Sequence, residues 1–256
     1  MSGHSKWSQI KRGKAKIDGQ RGAIFTKLAR EIFVAAKIGG SDPAGNFRLR
    51  TAIEKAKSGF MPVDNIKRAI QRASGEGVSE NFEEIQYEGY GPGGVAIIAS
   101  SMTDNRNRTA GDIRSYFIKC EGNLGETGCV GWMFSEKGVM NIDSYKNDSI
   151  DFDELFMSAA DLGADDVIDL EDGIYQVVTQ PDSNILEKVQ KGLESLGYSV
   201  NDVEITMIPN NYVKITDEYI AKKTLKLIDL LENNDDVQNV YYNFELSEEL
   251  EHLLNL

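Results

Sequence analysis

Val167-Ile168-Asp169-Leu170-Glu171-Asp172-Gly173-Ile174-Tyr175-Gln176-Val177-Val178-Thr179 decides how the middle of this chain is built. Two runs rich in β-branched residues flank Asp172-Gly173, a dipeptide whose glycine tolerates the positive φ that a two-residue hairpin turn demands. The expectation is a strand over Val167–Leu170 and a returning strand over Ile174–Thr179. Before the hairpin, Leu155, Ala159 and Leu162 recur at helical spacing, and Val139–Ile142 has strand composition. After it, Leu186, Val189, Leu193 and Leu196 mark a second helix, and Val203, Ile205 and Met207 alternate as a strand. The order is β-α-β-β-α-β, the split pattern of ferredoxin-like domains. Residues 135–205 are therefore expected to fold as one unit.

The flanking segments belong together. Upstream, Val95–Ser100 reads as a buried strand, Thr109 and Asp112 suit a capping box, and Ile113, Tyr116, Phe117 and Cys120 form a helical stripe. Val130–Phe134 reads as a further strand. Downstream, Ile220, Leu227, Ile228 and Leu231 predict a helix, and Val240, Tyr242 and Phe244 a final strand. Those last two elements are too few to bury a core alone. They can complete the sheet begun at residues 82–134, which makes residues 82–134 plus 206–246 one discontinuous α/β domain with 135–205 inserted in it.

Ahead of a polar linker at residues 76–81 the alphabet changes. Ile24, Leu28 and Ile32 begin a helix that Gly39-Gly40 stops. Asp42-Pro43 is expected to start a second, with Leu49, Ile53 and Ala56 inward. Asp64 is expected to cap a third, carrying Ile66, Ala69 and Ile70. Residues 21–75 thus predict a three-helix bundle, and residues 1–20, with little to bury, a basic mobile arm. The fold class is α+β multidomain: an N-terminal three-helix bundle followed by two α/β domains, one ferredoxin-like and inserted in the other.

Charge divides along the same boundary. The 256 residues carry a formal net charge of −13, which alone argues against a nucleic-acid binder. Yet residues 1–75 hold 16 Lys/Arg against 5 Asp/Glu, whereas residues 76–256 hold 12 against 36. A basic module joined to an acidic body can attract phosphates at one end and repel them at the other. The competing reading is a basic module folded back onto its own acidic body. Within the basic part, Lys6, Lys11, Arg12, Lys14, Lys16 and Arg21 of the arm offer phosphate affinity through counterion release. Trp7 and His4 can stack on bases, and Gly3 and Ser5 keep the tip thin. The bundle adds Lys27, Arg30, Arg48 and Arg50 as candidate contacts, with Lys55, Lys57, Lys67, Arg68 and Arg72 on its outer faces.

Other chemistry has little material. Cys120 and Cys129 are too few for a disulfide framework or a four-cysteine zinc site, and a reducing cytoplasm is the default expectation. His4 and His252 lie at opposite ends. No apolar run approaches the roughly 18 residues of a membrane span, and the N-terminus lacks the apolar stretch of a secretory signal. Gly89, Gly91 and Gly94 match G-x-G-x-x-G but precede a strand rather than a helix, so they read as a tight turn. Arg106 and Arg108, at the start of a helix whose dipole disfavours cations, point either to a second contact surface or to an internal ion pair. No nucleophile, base and orienting group can be assembled, and neither metal nor cofactor is expected.

Several blocks resemble the YebC/PmpR family of probable transcriptional regulators. They are Gly3-His4-Ser5-Lys6-Trp7, Ile24-Phe25-Thr26-Lys27-Leu28, Tyr87-Glu88-Gly89-Tyr90-Gly91-Pro92-Gly93-Gly94 and Thr103-Asp104-Asn105-Arg106-Asn107-Arg108-Thr109. Gly122-Asn123-Leu124-Gly125, Met207-Ile208-Pro209 and Asp235-Asp236-Val237-Gln238 continue the match in order. A mitochondrial translational activator of cytochrome c oxidase subunit I is similar to this family. The resemblance implies three domains with the same insertion, no enzymatic activity, and one of two roles. The first is DNA-binding control of transcription. The second is binding of ribosomal RNA on the ribosome, with help for elongation through proline-rich stretches. A contrasting expectation is a protein-interaction module whose acidic domains take basic partners. The oligomeric state is not legible.

Overall fold

The computed structural model describes residues 17–75, 82–144, 150–170 and 173–254. The arm up to Lys16, the linker at 76–81 and Asp172 of the expected hairpin turn lie outside the described residues. Among the described residues, Phe134–Ile208 form one compact unit, and the chain on either side of them forms the other.

The second of these units contains three helices, α1 (Ile17–Gly39), α2 (Phe47–Ser58) and α3 (Val63–Ser74), so residues 17–20, expected in the arm, belong to α1. Leu28, Ile32, Ala36, Leu49, Ala52, Ala56, Ile66 and Ala69 meet in their shared core. The ends differ from expectation. Asp42 does not cap α2. Its carboxylate accepts the Ala44 N–H at 3.0 Å and its carbonyl the Gly45 N–H at 3.2 Å, so Asp42-Pro43 is spent on a turn. The cap is Asn46, a buried residue whose Oδ1 accepts the Leu49 N–H at 3.0 Å. Its Nδ2 donates to the Ala35 and Gly40 carbonyls, both at 2.8 Å, and so stitches the end of α1 to the start of α2. Gly39 leaves room for that amide, since a Cβ there would stand 2.6 Å from Nδ2. Gly40 supplies φ of 89°. Asp64 likewise lies inside the first turn of α3 rather than at its cap, which is Pro62 and makes no side-chain hydrogen bond.

The same unit continues with β1 (Glu83–Tyr90), β2 (Ala96–Thr103), α4 (Arg106–Lys119) and the short β3 (Asn123–Leu124). The glycine-rich segment between β1 and β2 is a tight turn with one 3-10 turn at Pro92–Gly94. Gly93 and Gly94 there have φ of 70° and 78°. The cap of α4 is Asn105, whose side chain accepts the Arg108 N–H, rather than Thr109. Thr109 lies one turn in and turns its hydroxyl to a buried carboxylate instead. The expected strand at Val130–Phe134 is a 3-10 turn over Gly131–Met133 followed directly by β4 (Phe134–Asp143).

The inserted unit runs β4, α5 (Phe152–Leu162), β5 (Asp166–Asp169), β6 (Ile174–Thr179), α6 (Ser183–Ser195) and β7 (Val200–Pro209). Its sheet has the order β5-β6-β4-β7, the ferredoxin-like arrangement. β5 and β4 each pair antiparallel with β6 in that sheet. Both helices start from an aspartate cap, Asp151 and Asp182, each accepting two backbone N–H groups.

The chain then returns through β8 (Val213–Ile215), α7 (Glu218–Glu232), β9 (Val237–Tyr242), β10 (Phe244–Leu246) and α8 (Glu248–Leu254). β9 pairs antiparallel with β2, Ile97 opposite Tyr242, and closes the order β3-β1-β2-β9. α4 and α7 cover this sheet with Ile113, Phe117, Leu227, Ile228 and Leu231 around Val95, Ile97 and Ala99. The expected final strand is therefore two, since Asn243 interrupts it. Its Oδ1 accepts the Ala96 N–H at 2.8 Å, and β10 leaves to pair in parallel with β8.

Candidate nucleic-acid interface

The basic residues of the bundle fall into two groups. One group faces the protein. Lys27 donates through Nζ to the Glu232 carbonyl at 2.6 Å, placing a cation on the C-terminal end of α7, where the helix dipole favours it. Arg30 is mostly buried and donates to the Met102 and Asp235 carbonyls, both at 2.8 Å, and to Asp236 Oδ1 at 3.0 Å. Its guanidinium lies 4.9 Å from the Phe82 ring centre. Arg48 pairs with Glu84 at the start of β1. Arg50 donates to the Pro43 carbonyl at 3.0 Å and lies over Phe47, which steadies the turn before α2. Three of these four residues tie the bundle to the acidic body by the electrostatics of the competing, inward reading. The other group faces outward: Lys37, Lys55, Lys57, Lys67, Arg68 and Arg72 are exposed.

The two arginines at the start of α4 also separate. Arg106 is exposed. Arg108 reaches Asp104 at 2.9 Å and Asp236 at 2.7 Å, so it takes the internal ion pair. Asp236 is the centre of this arrangement. It sits on the loop between α7 and β9 with 4% of its surface exposed, and accepts from Arg30, Arg108, Thr109 at 2.7 Å and Thr103 at 3.3 Å. Burial alone would resist its ionisation. The hydrogen bonds from Arg108 and Thr109 and the charges of Arg108 and Arg30 outweigh that penalty and hold its carboxyl below the usual value. Beside it, Phe33 and Val34 of α1 pack against Met102 of β2. The bundle is thus seated on the α/β sheet by this apolar contact and buried ion cluster, with the Lys27 and Arg48 contacts beside them.

A second buried carboxylate organises the loop that leads to the insertion. Glu88 on β1 accepts the N–H groups of Gly128 at 2.8 Å, Val130 at 2.9 Å and Gly131 at 2.6 Å. This breaks the expected strand, because the backbone donors of Val130 and Gly131 turn to a side chain instead of a neighbouring strand. Trp132 stands exposed on that loop, its Nε1 donating to the Cys129 carbonyl at 3.2 Å.

Sequence reasoning missed Asn46, Glu88 and Asp236 as organising residues. Glu88 and Asp236 had a signal only within the family-like blocks Tyr87–Gly94 and Asp235–Gln238. Of the arm residues, Gly3, His4, Ser5, Lys6, Trp7, Lys11, Arg12, Lys14 and Lys16 lie outside the described residues, and the Arg21 side chain does too. Among the described residues no three His, Cys, Asp or Glu side chains converge as metal ligands. Both cysteines are unpaired thiols, and burial pushes each above its ordinary pKa, with Glu88 adding to the effect at Cys129. No helix among the described residues is long and apolar enough to cross a membrane.

Comparison with known proteins accounts for nearly the whole chain. Residues 5–76 match the model of the TACO1/YebC protein N-terminal domain, and residues 82–244 that of the TACO1/YebC second and third domain. A probable transcriptional regulatory protein of Geobacter sulfurreducens is 54% identical over 255 residues, 99% of this chain and 100% of its own length. One from Natranaerobius thermophilus is 51% identical over 250 residues, 98% of each chain. The crystal structure of a conserved hypothetical protein from Aquifex aeolicus superposes with a TM-score of 0.83 at 46% identity, covering 96% of this chain and 98% of that one. With its helical bundle, its interrupted α/β domain and its ferredoxin-like insertion all matched, this chain belongs to the YebC family, and relatives named probable transcriptional regulatory proteins are similar to it over nearly their whole length.

Proposed function

We propose that this protein is a nucleic-acid-binding regulator of gene expression that works by binding rather than catalysis. The observation that carries the reading is the division of charge, 16 basic against 5 acidic residues up to residue 75 and 12 against 36 beyond it. It is supported by the outward set Lys37, Lys55, Lys57, Lys67, Arg68 and Arg72. In this reading the arm up to Lys16, with Arg21 of α1, extends the basic surface: its lysines and arginines bind phosphates, and His4 and Trp7 stack on bases. Arg106 supplies a second contact, whereas Lys27, Arg30, Arg48, Arg50 and Arg108 act by holding the binding surface in place.

The names of the relatives favour control of transcription, for which duplex DNA would be the ligand. A second reading, ribosomal RNA and control of elongation, is favoured by the acidity of residues 76–256, which limits how far a duplex can be enclosed. One experiment separates them. Ribosome profiling with matched message sequencing is carried out in cells lacking the protein. Altered message levels without new pauses support the transcriptional reading; pauses at proline-rich codon runs with unchanged messages support the ribosomal one. Equilibrium binding of the whole chain to duplex and single-stranded probes, titrated with salt, tests the shared premise. A log affinity that does not fall with log salt would refute it.

A further inference from the structure

Between α1 and α3 runs an open groove of about 720 Å³. From α1 it receives Phe25, Ala29 and Phe33, spaced four residues apart on one face. From α3 it receives Asn65, Ala69 and Arg72 on one face, with Arg68 beside them. Ala29 and Ala69 line the groove as small side chains, so the two helices leave space where larger residues would close it. Phe82 forms one end. It meets Phe33 edge-on at 5.7 Å and lies beneath the Arg30 guanidinium. The lining therefore combines apolar walls with three arginines: Arg30 is held by Asp236 and two carbonyls, and Arg68 donates within its own helix to Asn65 and to the Asp64 carbonyl. Among the described residues the acid in the lining is Asp104, which is paired with Arg108.

That combination is chemically selective. Aromatic faces accept an unstacked base of any sequence, and arginines at i and i+4 on an exposed helix face accept its flanking phosphates. The volume suits one or two nucleotides, within the range of about 300–1,000 Å³ typical of small-ligand sites. A duplex keeps its bases stacked inside and offers such a groove only phosphates. We infer that the α1–α3 groove is a binding site for a single-stranded nucleic acid segment. An unstacked base lies between Phe25 and the Ala29/Ala69 floor, and its phosphates lie on Arg68 and Arg72. This rests on the nucleic-acid reading above and adds where the strand lies and that it is single.

The test uses the full chain and fluorescence anisotropy with three labelled probes of one sequence: single-stranded RNA, single-stranded DNA and the hairpin duplex. Phe25→Leu keeps an apolar residue at the core edge and removes the ring. It should weaken single-strand binding about tenfold and leave duplex binding within about twofold. Arg68→Gln with Arg72→Gln should reduce the slope of log affinity against log salt by about 1.4 for single strands, about 0.7 for each phosphate released. Thr26→Glu, on the exposed rim of the same groove, places a negative charge there without touching the core and should also weaken single-strand binding. Lys214→Gln, an exposed change of equal charge on the acidic body, should leave both affinities unchanged. Equal loss with RNA and DNA, or loss with RNA alone, supports the site. Tight single-strand binding that survives all three groove variants overturns it while leaving the nucleic-acid reading intact. So does displacement of the probe by an acidic peptide as readily as by unlabelled oligonucleotide. Binding to none of the three probes at low salt removes the nucleic-acid reading itself.

Discussion

Replacing Asp236 by asparagine should destabilise the seat of the bundle by about 3 kcal/mol, the low end of the range for removing one partner from a buried ion pair. The substitution keeps shape and one carbonyl acceptor, but it removes the charge and turns an NH2 group toward donors. Asp236 receives four hydrogen bonds, two of them from guanidinium groups. A hydrogen bond to a charged group contributes about 1.5–3 kcal/mol each. Two features keep the total below a simple sum. The Arg108 side chain is 47% exposed and keeps Asp104 at 2.9 Å, so water and Asp104 can take up its charge. Arg30 keeps the Met102 and Asp235 carbonyls. One feature works the other way: the Arg30 side chain is only 13% exposed, so its charge would be left poorly solvated. The assay is urea denaturation of wild type, Asp236→Asn, Arg30→Gln and the double variant, with amide exchange of α1 as the local readout. The cycle should show a coupling of about 1–3 kcal/mol and faster exchange in α1. A single-variant loss below about 0.5 kcal/mol, the level of an ordinary surface change, would refute the reasoning.

The same carboxyl, held below its usual value in the folded chain, contributes stability above its unfolded pKa of about 4 that is lost as pH falls through the folded value. The difference in urea midpoint between wild type and Asp236→Asn should therefore be full at pH 7 and vanish in acid; a gap that persists at low pH would count against it. Glu88→Gln leaves three backbone donors sharing one carbonyl oxygen and should cost about 2 kcal/mol. Its signature is accelerated amide exchange at Gly128, Val130 and Gly131 with a change in Trp132 emission, and unaltered protection there would contradict the assignment. Gly138→Ala would drive a methyl group into Thr179 Oγ1 and to 2.9 Å from Leu186 Cδ1, costing about 1–3 kcal/mol. Calorimetry should place the loss in the unit Phe134–Ile208, and an unchanged transition would show that β4 can shift.

Residues whose burial follows a local period could be read from the chain. Leu28 and Ile32, Ile113 and Phe117, Leu186, Val189 and Leu193, and Leu227, Ile228 and Leu231 are buried as their spacing requires, whereas Ile24 and Leu196, expected in the same stripes, are exposed, the latter at the C-cap of its helix. The element order of the insertion followed from the hairpin and its flanks, and the return of the last helix and strand to the sheet of residues 82–134 followed from their being too few for a core alone; the structure adds the strand order and the pairing of β9 with β2. What could not be read are groups whose partners are distant in the chain. Arg30 and Asp236 are 206 positions apart, and neither carries a local pattern that names the other. Val130-Gly131-Trp132-Met133-Phe134 has strand composition, yet Glu88, some 42 positions earlier, takes its backbone donors. At the starts of α2 and α3 several residues could cap equally well in sequence. Asn46 wins at α2 because its amide also reaches the two carbonyls at the end of α1.

The positive charge of the first 75 residues has two uses, and they oppose each other. Arg30 and Arg48 spend their charge on the carboxylates of Asp236 and Glu84, and Lys27 on the Glu232 backbone carbonyl at the C-terminal end of α7, drawing the bundle onto an acidic body. That same body repels any polyanion approaching from its side. The Arg30–Asp236 attraction that seats the bundle is short-range and largely desolvated, so salt screens it little, whereas the exposed Arg48–Glu84 pair is screened and the repulsion through solvent fades within a Debye length of about 8 Å at physiological salt. Under the proposed function, phosphates would be steered to the surface where Lys55, Lys57, Lys67, Arg68 and Arg72 are exposed, while the bundle holds its seat across the same range of ionic strength. Loss of nucleic-acid binding on replacing Arg30 would then follow from a displaced bundle. Asp236→Asn separates the two uses, because it loosens the seat while removing a negative charge from the protein. If binding were a matter of net charge alone, that variant would bind more tightly; if the seat orients the basic surface, it binds more weakly.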